Sequence, residues 1–296
     1  MPLLWTADQL ARHHFAHSFL VEPIILRGGI NLLHGKRGIG KSHFAMTLAA
    51  CISERGALFG KYPTHPHGPV VYVQADVPPW LTQGRLRRAQ TLYTFKDVLF
   101  YFPTFFNIVG MNQQTPLVQE IQSHNPSLVI WDTLRKIHRG NSNDDDVPSM
   151  IYGIARELFP KAAHLFVHHD KKTIVDQEQL DDEEEFRGSG AWIDDAHTGM
   201  HLVEVSRNKL MLYFTKTNAC EEQPSVGLTL SLETLLLYSA PDTASRLAEW
   251  HRGKYPTGSP TDLERYLLAS FVGGPRIARA LAQGQNNDAG IAVVPG

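Results

Sequence analysis

Eight consecutive residues, Gly35-Lys36-Arg37-Gly38-Ile39-Gly40-Lys41-Ser42, match the pattern G-x-x-x-x-G-K-[ST] at every fixed position. Glycines at these spacings let a backbone turn tightly and point its N–H groups inward, at phosphate oxygens. A helix that starts at such a loop turns its positive end toward the same anion. Lys41 is placed to reach the outer phosphates, and the Ser42 hydroxyl is placed to hold Mg²⁺. Gly35, Gly38, Ile39, Gly40, Lys41, Ser42 and His43 are therefore the candidate nucleotide contacts, and ATP with Mg²⁺ is the expected ligand. Lys41 is expected to face solvent when no ligand is bound, so its removal should cost the fold little.

Two acids follow apolar runs. Leu128-Val129-Ile130-Trp131-Asp132 would deliver a carboxylate at the C-terminal edge of a sheet, where open parallel sheets bind ligands. Alone, Asp132 would read as a cap on the next turn. Beside a phosphate loop it reads as the second Mg²⁺ ligand. Val70 to Ala75 likewise leads to Asp76, which would stand beside the γ-phosphate as a base for the attacking water. A loop start before Pro78-Pro79 explains Asp76 equally well. A further run ends in Val167-His168-His169-Asp170, and a polar group there could sense the γ-phosphate. Adjacent strand residues face opposite ways, so the paired histidines argue weakly for zinc.

These groups need a scaffold. Short apolar runs alternate with helical patterns: strands at 29–34, 68–76, 97–102, 127–133 and 164–169, helices at 41–56, 81–92, 115–124 and 147–159. Alternation of this kind predicts an α/β fold with a mostly parallel sheet covered on both faces. In the helix 41–56, Phe44, Leu48 and Cys51 or Ile52 fall on one face, and Gly56 suits the position just past its end. A helix over 9–20 precedes the alternation. Closely spaced runs at 199–206, 209–216, 225–232 and 234–239 predict antiparallel hairpins that extend the sheet. The expected division is an entry segment over 1–27, a nucleotide-binding domain over 28–240, and a linker with short helices and a flexible tail over 241–296.

Composition narrows the class. The chain has 296 residues and a formal net charge of −2, so any nucleic-acid contact must come from local basic loops. No run approaches the length of a membrane span, and the N-terminus lacks the pattern of a secretory signal. Two cysteines, Cys51 and Cys220, cannot build a disulfide framework. A cytoplasmic location without membrane partners is the expectation.

Taken in order, NLLHGKRGIGKSHFAMTLA, VVYVQAD, SLVIWDTLRKIHRGNSNDDD, HLFVHHDKK and FRGSGAWIDDA resemble the RepA-type, RecA-fold hexameric ATPases: replicative helicases of plasmids and phages and their AAA-like P-loop relatives. The resemblance covers roughly residues 20–240 and implies a RecA-like core. It places Asp132 on the Walker B acid and His169, or else His168, on the γ-phosphate sensor. Asp76 falls where the family usually has a glutamate base. Arg187-Gly188-Ser189-Gly190 falls on the loop that lines the DNA channel, with Lys171 and Lys172 at its other end. The family often closes a strand with Lys-x-Arg, offered across a subunit interface. Here the residues are Lys216-Thr217-Asn218, so the lysine is kept and the arginine is absent, with Arg207 as a substitute whose position the sequence does not give.

The implied protein is an ATP-hydrolysing ring, a homo-hexamer on single-stranded DNA, and a replicative DNA helicase. Such a motor grips DNA through cationic loops. Yet Asp181 to Glu185 between Lys172 and Arg187 would repel phosphates, and a solvated loop explains that segment equally well. Arg135, Lys136 and Arg139 make a second cationic stretch, while Phe186 and Trp192 are the candidates for base stacking. Three rival readings remain: a DNA-dependent ATPase of recombination or repair that does not unwind, a regulatory nucleotide switch, and a small-molecule P-loop kinase. The kinase reading lacks an Arg-rich lid.

Overall fold

The computed structural model describes residues 4–13, 18–104, 106–138, 146–170 and 190–239. The candidate DNA residues Lys171, Lys172, Arg187, Gly188 and Ser189, together with Arg139, Phe186 and the expected C-terminal linker and helices, lie outside that set. The chain opens with α1 (Ala7–Arg12), then β1 (Phe19–Val21), β2 (Ile25–Leu26) and β3 (Ile30–His34). Helix α2 (Lys41–Ser53), β4 (Ala57–Leu58), β5 (Tyr62–Pro63), β6 (Val70–Gln74), α3 (Pro79–Ala89) and β7 (Val98–Tyr101) follow. After them come α4 (Pro116–Ser123), β8 (Leu128–Asp132), α5 (Asp146–Leu158) and β9 (Ala163–Val167). The described chain closes with α6 (Gly190–Asp194), β10 (Thr198–Ser206), β11 (Lys209–Thr217), β12 (Val226–Leu230) and β13 (Leu237–Ser239).

Nine of these strands form one sheet in the order β13-β12-β11-β10-β3-β9-β8-β6-β7. From β10 to β7 every pairing is parallel, and from β10 to β13 every pairing is antiparallel. The four central strands β3, β6, β8 and β9 are buried at every residue, which their unbroken apolar runs require. Two clusters cover the two faces. One holds α2 and the end of α3, with Leu33, Tyr72 and Ile130 from the sheet; the other holds α4 and α5, with Leu32, Val73 and Trp131. Alternate residues of one strand thus feed opposite layers. Parallel pairing also sets the C-terminal ends of β3, β9, β8 and β6 side by side along one edge.

Four local expectations change. The helix expected over 9–20 is split into α1 and strand β1, and Leu20, Val21, Ile24 and Ile25 are buried in the same cluster as α2. The pair β4–β5, which packs beside α2, was not foreseen. Helix α2 is not one-faced: Phe44 through Ser53 are all buried, because the helix is enclosed by the sheet, β4 and β13. It ends at Ser53, and Arg55, not Gly56, takes the left-handed turn (φ 54°).

His164 on β9 shows how polar groups are handled inside the core. It is fully buried; its Nδ1 accepts from Trp131 Nε1 at 3.3 Å, and its Nε2 donates to the Phe159 carbonyl at 3.3 Å. Burial lowers its pKa to about 4, so the ring is neutral in the fold. The unfolded imidazole takes a proton near pH 6.5, so the stabilising difference is complete above that pH and is lost as pH falls toward 4. The loss from this one group approaches about 3 kcal/mol by pH 4. Urea denaturation from pH 7 to 4.5 should show stability falling less steeply in His164→Gln than in the wild type. An unchanged slope would mean that His164 is not the group resisting protonation.

Candidate functional site

The phosphate loop joins the end of β3 to the start of α2, at the β3 end of the shared edge. Its turns need glycine. Gly35 has φ 152°, and a Cβ there would lie 2.4 Å from the Leu202 carbonyl oxygen; Gly40, at the head of α2, has φ 109°. No side chain caps α2, which leaves its first-turn N–H groups for an anion. Ile39 packs against the core, so it can offer a nucleotide only its backbone. The His43 ring is held by the Leu235 backbone and lies near Arg85 and Arg88; burial, then those arginines, lowers its pKa to about 4.

Lys41 is only 3 % exposed, contrary to the expectation of a solvent-facing cation. Its Nζ donates to the carbonyls of Gly35 at 2.6 Å and Lys36 at 2.7 Å. Burial lowers its pKa to about 8, against the opposing pull of Asp170, Asp132 and Asp76. The ammonium is thus parked on its own loop, inside the field of three carboxylates.

Asp132 is wholly buried at the end of β8. Its Oδ2 accepts from the Tyr72 hydroxyl at 2.7 Å and from Gln74 Nε2 at 3.2 Å. Its Oδ1 is buried with no partner. Burial and the Asp132 charge hold the Tyr72 phenol well above its usual pKa, so it stays a donor, and Ser42 lies within hydrogen-bonding reach of the same hydroxyl. The orphaned Asp132 oxygen and the Ser42 hydroxyl, both on side chains that meet Tyr72, are oxygen donors of the kind a hard cation takes, so the residues present suit Mg²⁺.

Of the two histidines, His169 joins the site. It is half-buried among Lys41, Asp76, Asp132 and Arg37, and its Nδ1 has no hydrogen-bond partner. Burial, then Lys41, lowers its pKa. The His168 ring instead stacks on Trp192 at 6.1 Å, and burial lowers its pKa to about 4. Asp76 is exposed just past β6, on the rim of a cavity of about 310 Å³ lined by Val77, Pro79, Phe102 and Thr104. Its charge reaches Lys41 and His169.

A family model described as an AAA domain matches residues 2–174. The chain belongs to that family. Among solved structures, a DnaB-like replicative helicase, described with its interactions with primase, matches with a TM-score of 0.54 at 13 % identity. That match covers 72 % of this chain, which spans only 59 % of the helicase's length. The flagellar accessory protein FlaH from Methanocaldococcus jannaschii matches with a TM-score of 0.48 at 11 % identity, over 73 % of this chain and 91 % of FlaH. By the family model and the likeness to the DnaB-like helicase, the AAA-domain chain has the RecA-type P-loop fold that the motif order implied. Among its described residues no helix is long and apolar enough to cross a membrane.

Other candidates in this AAA-domain chain stand further off. Lys216 pairs with Gly199 on β10, level with Leu32 in the middle of β3, and its ammonium donates to the Asp194 carbonyl. It is turned toward α6 and not toward its own phosphate loop. Arg207 sits exposed in the turn between β10 and β11, beyond the phosphate-loop edge. Arg135 and Lys136 are exposed just after β8. Trp192 is 1 % exposed, packed on Tyr152 and His138, and is not available for base stacking.

Tyr72 and Gln74 escaped the sequence reading. They lie two apart on β6, and the register sets Gln74 directly against Asp132. Period-two spacing beside an acid-ended strand was the available signal. Tyr72→Phe removes a charge-assisted bond from a buried carboxylate and should cost about 1.5–3 kcal/mol in urea denaturation. Stability equal to wild type would mean that the hydroxyl does not hold Asp132.

Proposed function

We propose that this AAA-domain chain is a Mg²⁺-dependent ATPase that works in the cytoplasm as a ring, most simply a hexamer, on single-stranded DNA: a replicative helicase of the RepA type. The observation that carries the ATPase part is the buried pair at the end of the parallel sheet, Lys41 on its loop carbonyls and Asp132 with one oxygen unpartnered. Phosphates would take the α2 amides and draw the Lys41 ammonium off Gly35 and Lys36. Ser42 and Asp132 would hold Mg²⁺, which when bound offsets charge on the phosphate oxygens. Asp76 would take the proton of the attacking water, and His169 would register the γ-phosphate. The ATPase domain would span 28–240, after the entry segment 1–27 and ahead of an appended segment over 241–296.

The DNA part rests on the ordered motifs and on the RecA-type fold. Lys171, Lys172, Arg187, Gly188 and Ser189 would line the channel. A neighbouring subunit would complete the site with Lys216, joined by Arg207. The second reading, a nucleotide switch with little turnover, draws on Asp76, whose carboxylate is one methylene shorter than glutamate and stands exposed.

The test is the ATP turnover rate per subunit with and without single-stranded DNA, beside native mass. Wild-type turnover should rise with DNA, and Lys41→Ala should lose at least about 100-fold in rate. Turnover that ignores DNA would leave an ATPase without the motor, and normal turnover in Lys41→Ala would remove the ATPase assignment. Strand displacement then separates a helicase from an ATPase that does not unwind.

Completion by a neighbour has its own signature. Lys41→Ala and Lys216→Ala subunits are each expected to be inactive alone. Mixed together they should recover part of the turnover, because some interfaces pair an intact loop with an intact cation. Turnover should also rise as dilute subunits assemble. A rate per subunit that stays flat with concentration would refute the ring.

A further inference from the structure

A second group of polar side chains converges at the root of the phosphate loop, where β10, β3 and the end of β9 lie side by side. His34 is the last residue of β3, and His201 on β10 is its register partner. Asp170 follows β9 and reaches between them. His34 Nδ1 lies 3.1 Å from Asp170 Oδ1, and His201 Nε2 lies 3.5 Å from Asp170 Oδ2. The two imidazoles are stacked, 4.4 Å between centroids and 13° from parallel. The His34, Asp170 and His201 side chains are 0 %, 8 % and 17 % exposed.

We propose that His34, Asp170 and His201 bind a divalent transition-metal ion of the zinc class, at a site separate from the Ser42–Asp132 position. Two imidazole nitrogens and a carboxylate are a donor set that such ions take. One donor atom from each residue lies within 4.8 Å of the others. Around a tetrahedral zinc with bonds of about 2.1 Å, neighbouring ligand atoms are ~3.4 Å apart. Each nitrogen faces its own Asp170 oxygen near that separation, so small movements would bring both nitrogens and one carboxylate oxygen around an ion. His201, on the most exposed side, leaves a path for entry and for a water as a further ligand.

The protonation states suit a cation. Burial lowers the His34 pKa, which keeps the imidazole neutral, although Asp170 pulls the other way. Burial alone would raise the Asp170 carboxyl, but hydrogen bonds from His201 and His34 outweigh it and hold the group well below the usual carboxylate range. An ion would replace the hydrogen bonds from His34 and His201 to Asp170, and each imidazole would then carry its proton on the nitrogen turned away from the ion.

The ion would fix the base of the nucleotide site. The Asp170 N–H donates to the Gly35 carbonyl at 3.2 Å, the same carbonyl that accepts from Lys41. The ends of β3 and β9, the middle of β10 and the first glycine of the loop would then be tied through one centre. A hydrogen-bonded relay without metal satisfies the same three residues, and the two arrangements differ in whether an ion binds.

The experiment titrates the full, untagged, metal-stripped chain with Co²⁺ and follows visible d–d absorption. The wild type should bind one equivalent with the strong bands of four-coordinate cobalt. Zn²⁺ should displace the Co²⁺ and raise the melting temperature. His201→Ala and Asp170→Asn should each lose the bands and at least about 10-fold in affinity. Asp170→Asn keeps the shape and the backbone bond to Gly35, so it remains informative if His201→Ala fails to fold. Asp132→Asn should keep the bands, which separates this site from the Mg²⁺ position. Absence of four-coordinate bands in the wild type, or equal bands in Asp170→Asn, would overturn the proposal and leave a hydrogen-bonded relay.

Discussion

Lys41 and Asp132 are both out of water at the same end of the sheet, and most of the site's construction answers the cost of putting them there. Desolvating an ion costs several kcal/mol even after the surroundings relax. Lys41 recovers part of this from the Gly35 and Lys36 carbonyls, and Asp132 from Tyr72 and Gln74. Neither recovery is complete. The Asp132 Oδ1 has no partner, and Lys41 holds its proton less tightly than a lysine in water. A fold selected for stability alone would place apolar residues here. The unsatisfied remainder is what a ligand rich in oxygen atoms can use, as anion for Lys41 and as companion of a hard cation for Asp132.

Holding such a pair requires strands that do not give way. The four central strands are buried on both faces, and on the α5 side Trp131, His164 and Phe166 form a stacked aromatic layer with Phe159 tilted against it. Trp131 and Asp132 are adjacent, so one strand anchors this layer with one residue and presents the carboxylate with the next. On the other side of β3 the antiparallel strands extend the sheet past the site. The β10–β11 hairpin continues beyond the end of β3 and carries Arg207 at its tip.

What was legible in the sequence was contiguous. The phosphate loop sits within eight residues, and the strand-ending acids are the last positions of their own runs. The parallel sheet followed from alternation, and so did the edge on which the acids emerge. What was not legible depends on neighbours far along the chain. Gln74 meets Asp132 through strand register, and His34 meets His201 across 167 residues. Helix α2 gave a one-faced pattern because small residues such as Ala45, Ala49 and Ala50 carry little hydrophobic signal, yet they are fully buried against close neighbours. Lys41 was expected in solvent because a lysine's type predicts exposure, whereas the loop carbonyls that draw it inward appear only in three dimensions. Trp192 was read from its type as a surface stacker, and its partners Tyr152 and His138 lie on other elements.

The end of β9 shows how these parts act on one another. His169 stands among Lys41, Asp76 and Asp132, while the next residue, Asp170, is bonded to His34 and His201 and through its N–H to Gly35. Consecutive side chains of an extended segment point apart, so this short stretch faces the phosphate position with one residue and grips the root of the loop with the next. Any movement of His169 toward or away from a phosphate must be absorbed within one peptide unit, or else carried into Asp170 and the Gly35 bond. The His34–Asp170–His201 contacts resist the second course, because they fix the carboxylate at both oxygens. The end of β9 is therefore tethered to the root of the phosphate loop through Asp170, by its N–H to Gly35 and by its carboxylate to His34.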